Sequence, residues 1–282
     1  MMGRSRETVG SITGTLVLAV ACALVLVPLA FMLGSSFMPA MDIMRMPYRW
    51  IPEVWKPSNY LRALAGNDGS WMYLRNIFNS VFVSTSIAVS TVLLSSLVGY
   101  GLAKFRFRGR NAVFMAIMGT MMIPFETIMI PLYLIAVKAG MQNSYAGLIV
   151  PFLMNAFGVF IMRQYLITFP DEMLDAARID GCSEPRIFWD IVFRNAGPAA
   201  ATLAVLSFRQ QWDNLLWPLL IAQDEKMKTI PAYIVKFAAE KHADEGAMMA
   251  VAVIASIPVF VLFFSLSKYF LGGSAVYQAG KE

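Results

Sequence analysis

A group of polar and aromatic side chains lies inside an otherwise apolar stretch near residue 210. It consists of Arg209, Gln211, Trp212, Asp213, Asn214 and Trp217, with Gln210 beside them. Polar groups within a membrane segment are costly unless they face protein or water, so such a group indicates a functional site. Amide donors next to aromatic faces suit the ring of a sugar. The same side chains would also suit a plainer role, in which they hold neighbouring helices together.

A second pattern covers residues 169–195 and is polar and helical. Pro170 lies where a first helical residue is expected, and acidic residues follow in the first turn, where they complement the helix dipole. Gly181 can adopt the left-handed conformation that ends a helix. Ser183 is expected to cap a second short helix that has Pro185 in its first turn.

This pattern predicts a compact helix-turn-helix knob with a patch of small residues at Ala176 and Ala177. Small residues let a partner surface approach the backbone closely, and the flanking charges can fix the register. A rigid knob of this kind can transmit motion between proteins. The alternative is an ordinary amphipathic connector at the membrane surface.

The motifs that would indicate catalysis are missing from this sequence. No G-x-x-x-x-G-K-[ST] phosphate-binding loop occurs, because Gly280-Lys281 is followed by Glu282 and lacks the upstream glycine. His242 has no second metal ligand at a useful spacing, and Cys22 and Cys182 form neither a metal pattern nor a disulfide pattern. We therefore predict no enzyme activity, no metal site and no directly bound cofactor.

The composition shows which elements must position these residues. The chain of 282 residues is 58% hydrophobic and only 15% charged, whereas a soluble domain has about a quarter charged residues. The net charge of +5 does not indicate nucleic-acid binding, since the basic residues lie between apolar runs rather than in one stripe. The fold is therefore predicted to be that of an all-α membrane protein.

Six apolar runs are candidates to cross the roughly 30 Å of membrane hydrocarbon. They cover residues 12–33, 81–103, 112–134, 146–162, 196–222 and 247–266. The first run exceeds the apolar core of about 7–15 residues of a cleaved signal peptide, so we expect a retained anchor. The chain then divides into residues 1–75, the anchor and an extracytoplasmic loop, and residues 76–282, a core of five spans with a loop at 169–195.

The orientation of these spans follows from their flanking charges. The stretch Lys104–Arg110 has four cations in seven residues, and short basic loops lie on the cytoplasmic side. Six crossings then place both termini in the cytoplasm. The two longer outside loops also have nine Lys and Arg residues, but long loops can be translocated despite their charge.

The segment that begins at Asp175 resembles the signature of ABC importer permeases, which is E-A-A, three residues, G, nine residues, then I-x-L-P. Here it reads Asp175-Ala176-Ala177, Gly181 and, after nine residues, Ile191-Val192-Phe193-Arg194. The spacing is intact, although Asp replaces the leading Glu, Phe replaces Leu and Arg194 replaces the closing Pro. Other stretches are similar to maltose-transporter-like carbohydrate permeases: PSNY (57–60), YGLAKFRFRGR (100–110), MIP (122–124), IPLY (130–133), NSYAGLIVP (143–151), FGVFIMRQYL (157–166) and WDNLLWPL (212–219).

The resemblance implies a type I ABC importer fold and the role of a permease subunit in an ATP-driven, binding-protein-dependent sugar importer of the cell inner membrane. The subunit would form half of the translocation pathway. Residues 169–195 would be its cytoplasmic coupling helix, with the ATPase-coupling residues Asp175, Ala176, Ala177, Asp180, Gly181 and Ile191. Implied partners are a second permease subunit in a heterodimer, two copies of an ATP-binding subunit that hold ATP and Mg, and an extracytoplasmic sugar-binding protein.

Two other functions are compatible with the composition. An ion-coupled secondary transporter would work without an ATPase, but it should have several intramembrane acids and an inverted repeat. The spans contain one prominent acid, Asp213, and no obvious repeat. A membrane scaffold without transport activity would leave the spacing around Gly181 unexplained.

Overall fold

The computed structural model describes the backbone of residues 2–66, 69–239 and 244–279, so His242 lies outside the described residues. Within these ranges the regular secondary structure is helical and no strand occurs, which confirms the predicted all-α class. The helices are α1 Met2–Ser35, α2 Ala40–Ile43, α3 Ser58–Ala65, α4 Met72–Lys104, α5 Arg110–Thr120, α6 Phe125–Lys138, α7 Tyr145–Ile149, α8 Ala156–Ile167, α9 Asp171–Ile179, α10 Glu184–Ile187, α11 Gly197–Trp212, α12 Leu216–Ile221, α13 Ile230–Ala239 and α14 Glu245–Ala279.

Three described helices are long and apolar enough to cross a membrane unbroken: Thr13–Ser35, Met72–Lys104 and Glu245–Lys268. Three bent pairs also qualify if each pair is taken as one span. They are Arg110–Thr120 with Phe125–Lys138, bent by 93°, Tyr145–Phe152 with Ala156–Ile167, bent by 45°, and Glu184–Phe193 with Gly197–Trp212, bent by 81°. The total of up to six agrees with the predicted number.

The bends are the main departure from the predicted spans. The predicted span 112–134 is interrupted after Thr120, and α6 begins only after Pro124, which has no N–H to continue a helix. The predicted span 146–162 is broken before Asn155, whose side chain caps α8 by accepting from the Gly158 N–H at 2.7 Å. Each break replaces helical backbone hydrogen bonds with a turn that can face a cavity.

The chain forms two compact units, and the first comprises residues up to Tyr73 together with Ile234–Ser256. In this unit the Asn59 side-chain amide donates to the carbonyls of Ser36 at 3.0 Å and Met38 at 2.9 Å. These bonds fix α3 against the segment that follows α1. The sequence-based division placed residues 234–256 with residues 76–282 instead, because a hydropathy pattern carries no information on contacts between distant segments.

Asp244 joins the two stretches of this unit. Its Oδ2 atom accepts from Lys56 Nζ at 3.0 Å and from Arg62 at 2.8 Å, while its Oδ1 atom accepts from the Gly246 N–H. Burial alone would raise the pKa of the Asp244 carboxyl, but hydrogen bonds from Lys56 and the Ala247 N–H hold this pKa below its ordinary value.

The second unit comprises Leu74–Tyr233 and the chain from Ile257 onward. Its helix α4 packs closely on α8, because a Cβ atom on Gly99 would lie 2.9 Å from Met162 Cβ and from the Arg163 backbone nitrogen. On the facing helix, a Cβ atom on Gly158 would lie 2.5 Å from Ser95 Oγ. Glycine therefore permits this approach from both sides.

The beginning of α4 is bonded to a loop that precedes α13. The Asn76 amide donates to the Lys228 carbonyl at 2.9 Å, and the Asn79 amide donates to the carbonyls of Lys226 and Lys228, both at 2.9 Å. Tyr145 donates its hydroxyl to Asn79 Oδ1 at 2.7 Å. The loop backbone is therefore fixed to α4 by buried side-chain amides.

Candidate functional site

The first candidate site is the hairpin at residues 169–195, which contains α9 and α10. Helix α9 ends at Ile179, and Gly181 follows with φ +80°, so the predicted glycine stop is confirmed. A Cβ atom at Gly181 would meet no atom within 4 Å, so the backbone conformation alone requires glycine here. The Cys182 N–H then donates to the Ala177 carbonyl at 3.0 Å and closes the turn.

The second half of the hairpin differs from the prediction in two details. Ser183 occupies the cap position of α10, but its side chain makes no capping hydrogen bond. After Ile187 the chain continues as a π-helix, Phe188–Phe193, rather than as an α-helix. The wider turn lets Phe188 and Val192 both reach the hairpin core, where they are buried.

An apolar core holds the two helices of the hairpin against the rest of the second unit. It is formed by the buried side chains of Tyr100, Leu166, Leu174, Ala177, Ile187, Phe188 and Val192. Because Tyr100 lies on α4 and Leu166 on α8, the hairpin packs directly on both of these helices. The hairpin is therefore a packed element and not a loose connector.

Charged groups fix the hairpin to the end of α4. Lys104 Nζ, whose side chain is only 5% exposed, donates to the Phe169 carbonyl at 2.5 Å and to Asp171 Oδ1 at 2.6 Å. The hydrogen bond from Lys104 and its positive charge hold the pKa of the Asp171 carboxyl below its ordinary value. Tyr100 donates its hydroxyl to Glu184 Oε2 at 2.8 Å.

Arg178 bridges the two helices of the hairpin. Its Nε atom donates to Glu184 Oε1 at 2.7 Å, and its NH1 atom donates to Asp175 Oδ1 at 2.8 Å. Glu184 therefore receives hydrogen bonds from Arg178 and from Tyr100 of α4. The charges within the hairpin and the tyrosine below it form one connected network.

The predicted coupling residues fall into two groups in this structure. Asp175, Ala176, Asp180 and Gly181 are exposed, whereas Ala177 is buried in the hairpin core and Ile191 is half-buried against it. The small-residue pair therefore does not form one surface patch, because consecutive helical residues point about 100° apart. The exposed edge instead includes Ile179, which is 86% exposed and was not predicted.

The second candidate site is a cavity of about 740 Å³ in the second unit, where three helix breaks meet. The breaks are those between α5 and α6, between α7 and α8, and between α11 and α12. The polar side chains that line it belong to Thr120, Glu126, Asn155, Gln210, Gln211, Asp213 and Asn214. The three predicted residues Gln211, Asp213 and Asn214 therefore share one cavity.

The other predicted pathway residues lie elsewhere. Arg209 does not line the cavity, but its Nε atom lies 3.4 Å from Asp213 Oδ2, one helical turn away. Trp212 is buried and stacks on Phe208 with ring centroids 5.4 Å apart. Trp217 is fully buried, and its Nε1 atom donates to the Gly147 carbonyl at 2.9 Å. Both tryptophans pack inside the protein, and neither lines the cavity.

Sequence reasoning missed Glu126 and Asn155 and left Gln210 outside the candidate set. Glu126 lies in the first turn of α6, and Asn155 is the cap of α8, so both belong to helix breaks that were assigned to the middle of spans. The signals that could have revealed them are the prolines that precede them, Pro124 and Pro151, because a proline followed by a polar residue often marks a helix start.

Broken apolar helices around a polar cavity, with a hairpin packed on α4 and α8, are the features expected of a membrane transport component. Residues 91–272 match the protein family described as binding-protein-dependent transport system inner membrane component. The matched region contains both the hairpin and the cavity. The chain belongs to this family, and it is a permease subunit of the ABC importer type.

Characterised relatives extend the similarity over nearly the whole chain. The arabinooligosaccharides transport system permease protein AraQ of Bacillus subtilis (strain 168) is 33% identical over 264 residues, covering 93% of this chain and 93% of AraQ. Its counterpart in Halalkalibacterium halodurans is 34% identical and covers 88% of this chain and 89% of its own. The sn-glycerol-3-phosphate transport system permease protein UgpE of Rhizobium meliloti (strain 1021) is 30% identical, and the match covers 95% of this chain and 97% of UgpE.

A solved structure has the same fold. A chain of a bacterial ABC transporter involved in the import of the acidic polysaccharide alginate superimposes with a TM-score of 0.81. The match covers 94% of this chain and 97% of that chain at 22% sequence identity. The type I importer fold that the family resemblance implies is therefore confirmed.

Proposed function

We propose that this chain is the transmembrane permease subunit of an ATP-driven, binding-protein-dependent sugar importer, in which it forms half of the translocation pathway. Its family membership supports the transport role. The names of its relatives, which refer to arabinooligosaccharides and sn-glycerol-3-phosphate, support a sugar or sugar derivative as the cargo. The polar cavity between the helix breaks is the part of the chain that faces this cargo.

The observation that carries the proposal is the attachment of the hairpin to α4 and α8. A hairpin held by the Lys104 hydrogen bonds and the Tyr100–Glu184 bond moves together with the helices on which it packs. Its exposed edge, which includes Asp175, Ala176 and Ile179, inserts into a cleft on the ATP-binding subunit. Movement of that subunit then reaches the cavity without a flexible joint.

The remaining parts of the importer are separate proteins. A second permease subunit completes the pathway as a heterodimer, and two copies of an ATP-binding subunit hold ATP and Mg and hydrolyse the nucleotide. An extracytoplasmic binding protein delivers the sugar to the outer loops. This chain binds no cofactor itself. Both of its termini lie in the cytoplasm, since two spans precede and four follow a cytoplasmic loop at Lys104–Arg110.

Transport follows alternating access in this proposal. ATP binding draws the two ATPase subunits together, the hairpins move inward with them, and the bent helices reorient around the cavity. The cavity then opens to the outside and receives sugar from the binding protein. Hydrolysis separates the ATPase subunits, and the cavity opens to the cytoplasm.

The test is reconstitution of the complex that co-purifies with this chain into proteoliposomes, followed by measurement of labelled arabinotriose uptake. We expect uptake only when ATP and the loaded binding protein are both present on their proper sides. Uptake that is driven by an ion gradient without ATP would contradict the proposal and favour the secondary transporter. A purified chain that never binds an ATP-hydrolysing subunit would contradict it as well.

A further inference from the structure

The cavity has charges of only one sign. Of the nineteen described residues that line it, Glu126 and Asp213 are acidic and none is basic. Glu126 is exposed and has no ion-pair partner among the described residues. Arg209 pairs with Asp213 along one helix but does not line the cavity, so it balances at most one of the two charges.

Unused amide donors also face this space. Gln211 is only 9% exposed, and its Oε1 atom accepts from Asn214 Nδ2 at 3.2 Å. Its own Nε2 atom has no hydrogen-bond partner in the described part of the chain. Asn155 accepts from the Gly158 N–H through Oδ1, and its amide hydrogens make no hydrogen bond to the described residues.

Carboxylate acceptors, amide donors and aromatic walls together fit one chemical class. A sugar hydroxyl donates one hydrogen bond and accepts others, so it can pair with both kinds of group at once. Phe125, Phe152 and Phe157 supply apolar surface for the C–H faces of a sugar ring. A phosphate or carboxylate group can only accept hydrogen bonds, and it would be repelled by the carboxylate of Glu126, which no cation of the described residues balances.

We propose that the cavity lined by Glu126, Gln211 and Asp213 binds neutral polyhydroxylated ligands and excludes anionic ones. This inference rests on the proposed function in one respect only: that the ligand of the cavity is the transported cargo. The carboxylates of Glu126 and Asp213 belong to this chain, and their effect on the potential is a matter of charge and not of turnover. It can therefore be measured without any transport.

The test places a single reactive thiol in the cavity. In a Cys22→Ala, Cys182→Ala background, Ala156→Cys supplies the thiol at a lining position, and the reconstituted complex is labelled with an anionic and with a cationic methanethiosulfonate. After correction for their rates with a free thiol, we expect the anionic reagent to react at least about tenfold more slowly, since clefts of one sign concentrate counter-ions by this order. When Glu126→Gln and Asp213→Asn are added, the corrected rates of the two reagents should differ by about threefold or less.

A charge control and a protection assay complete the test. Glu53→Gln removes a carboxylate that does not line the cavity and should leave the labelling ratio unchanged. Arabinotriose should protect the thiol from labelling, whereas its aldonic acid, which differs by one carboxylate, should protect at least about tenfold less well. Equal corrected rates for the two reagents, or equal protection by the two sugars, would overturn the proposal.

These outcomes are separate from the proposed function. The labelling ratio reports the potential in the cavity whether or not the complex imports sugar. A complex with ATP-driven uptake and equal labelling rates would retain the proposed function and lose this inference. A complex with the expected labelling ratio but no ATP-driven uptake would retain this inference and lose the proposed function.

Discussion

The hairpin and the cavity lie in the same unit of the chain but use their polar groups in opposite ways. In the hairpin, Arg178 and Glu184 are bonded to each other and Lys104 to Asp171, above an apolar core. In the cavity, the amide nitrogen of Gln211 and the carboxylate of Glu126 have no protein partner among the described residues. Polar groups that are paired give stiffness, whereas unpaired groups are left for a ligand.

This difference indicates how the two regions should respond to substitution. Changes in the hairpin should uncouple the chain from its ATPase while ligand affinity stays the same. Changes in the cavity should alter ligand affinity while coupling stays the same. The following predictions would break or sharpen this contrast.

The largest effect is expected for Gly181→Pro in the hairpin. The residue has φ +80°, whereas proline requires φ near −65°, and proline would also remove the N–H that donates to the Arg178 carbonyl at 3.1 Å. We expect ATP-driven uptake and sugar-stimulated ATPase activity to fall more than about tenfold, since such backbone changes cost about 3 kcal/mol or more.

Gly140→Ala and Gly181→Ala form a matched pair of controls. Both glycines have positive φ and open space where a Cβ atom would lie, but Gly140 follows α6 and is outside the hairpin. The alanine at 181 should reduce coupling more than the alanine at 140. Unchanged uptake in Gly181→Pro, with the complex still assembled, would refute a mechanical role for the hairpin.

A smaller effect is expected for Lys104→Met, which removes the anchor of the hairpin on α4. The buried ammonium makes two hydrogen bonds, and a hydrogen bond to a charged group contributes about 1.5–3 kcal/mol. Sugar-stimulated ATPase activity should fall about fivefold to tenfold, with an unchanged sugar concentration at half-maximal uptake. Lys138→Met, at an exposed position at the end of α6, should have no effect. An altered half-maximal concentration in Lys104→Met would erase the contrast between the two regions.

In the cavity, Gln211→Leu should produce the opposite pattern. The substitution keeps the approximate size of the side chain and removes the free amide donor. We expect the arabinotriose concentration at half-maximal uptake to rise about threefold to tenfold, because the loss of one hydrogen bond costs about 1 kcal/mol. The maximal rate of uptake should stay unchanged. Gln164→Leu on the exposed face of α8 serves as control. A lower maximal rate without a change in half-saturation would assign Gln211 to coupling instead.

The smallest effect concerns pH. The pKa of the Asp171 carboxyl is depressed in the folded chain, so its contribution to stability is present above its unfolded pKa and is lost as the pH falls through the folded value. The difference in Tm between the unmodified chain and Asp171→Asn should therefore stay constant from pH 5 to 8 and shrink progressively as the pH falls below about 4. A difference that changes between pH 6 and 8 would require another titrating group.

Much of the fold was predictable because it depends on local properties of the sequence. The number of spans follows from runs of apolar residues, and the hairpin stop follows from Gly181, whose role is a matter of its own backbone. The polar positions Gln211, Asp213 and Asn214 were predicted as a site because few other polar residues occur in that segment.

The parts that were not predicted depend on tertiary contacts. Trp212 and Trp217 were predicted to face the pathway, but both indoles are buried. Trp212 stacks on Phe208, and Trp217 donates to the Gly147 carbonyl. The position of Ala177 in the core depends on which face of α9 packs on Tyr100. Glu126 enters the cavity only because the chain bends at Pro124, and hydropathy cannot distinguish a bent span from a straight one.

Helix α4 gives this arrangement a mechanical consequence. It contacts the hairpin through Tyr100 near one end and a loop backbone through Asn76 near the other. No proline lies between these two residues, and the helix carries them about 36 Å apart at about 1.5 Å per residue. In the importer that we propose, motion of the hairpin would therefore be carried along one continuous helix to the loop at its other end.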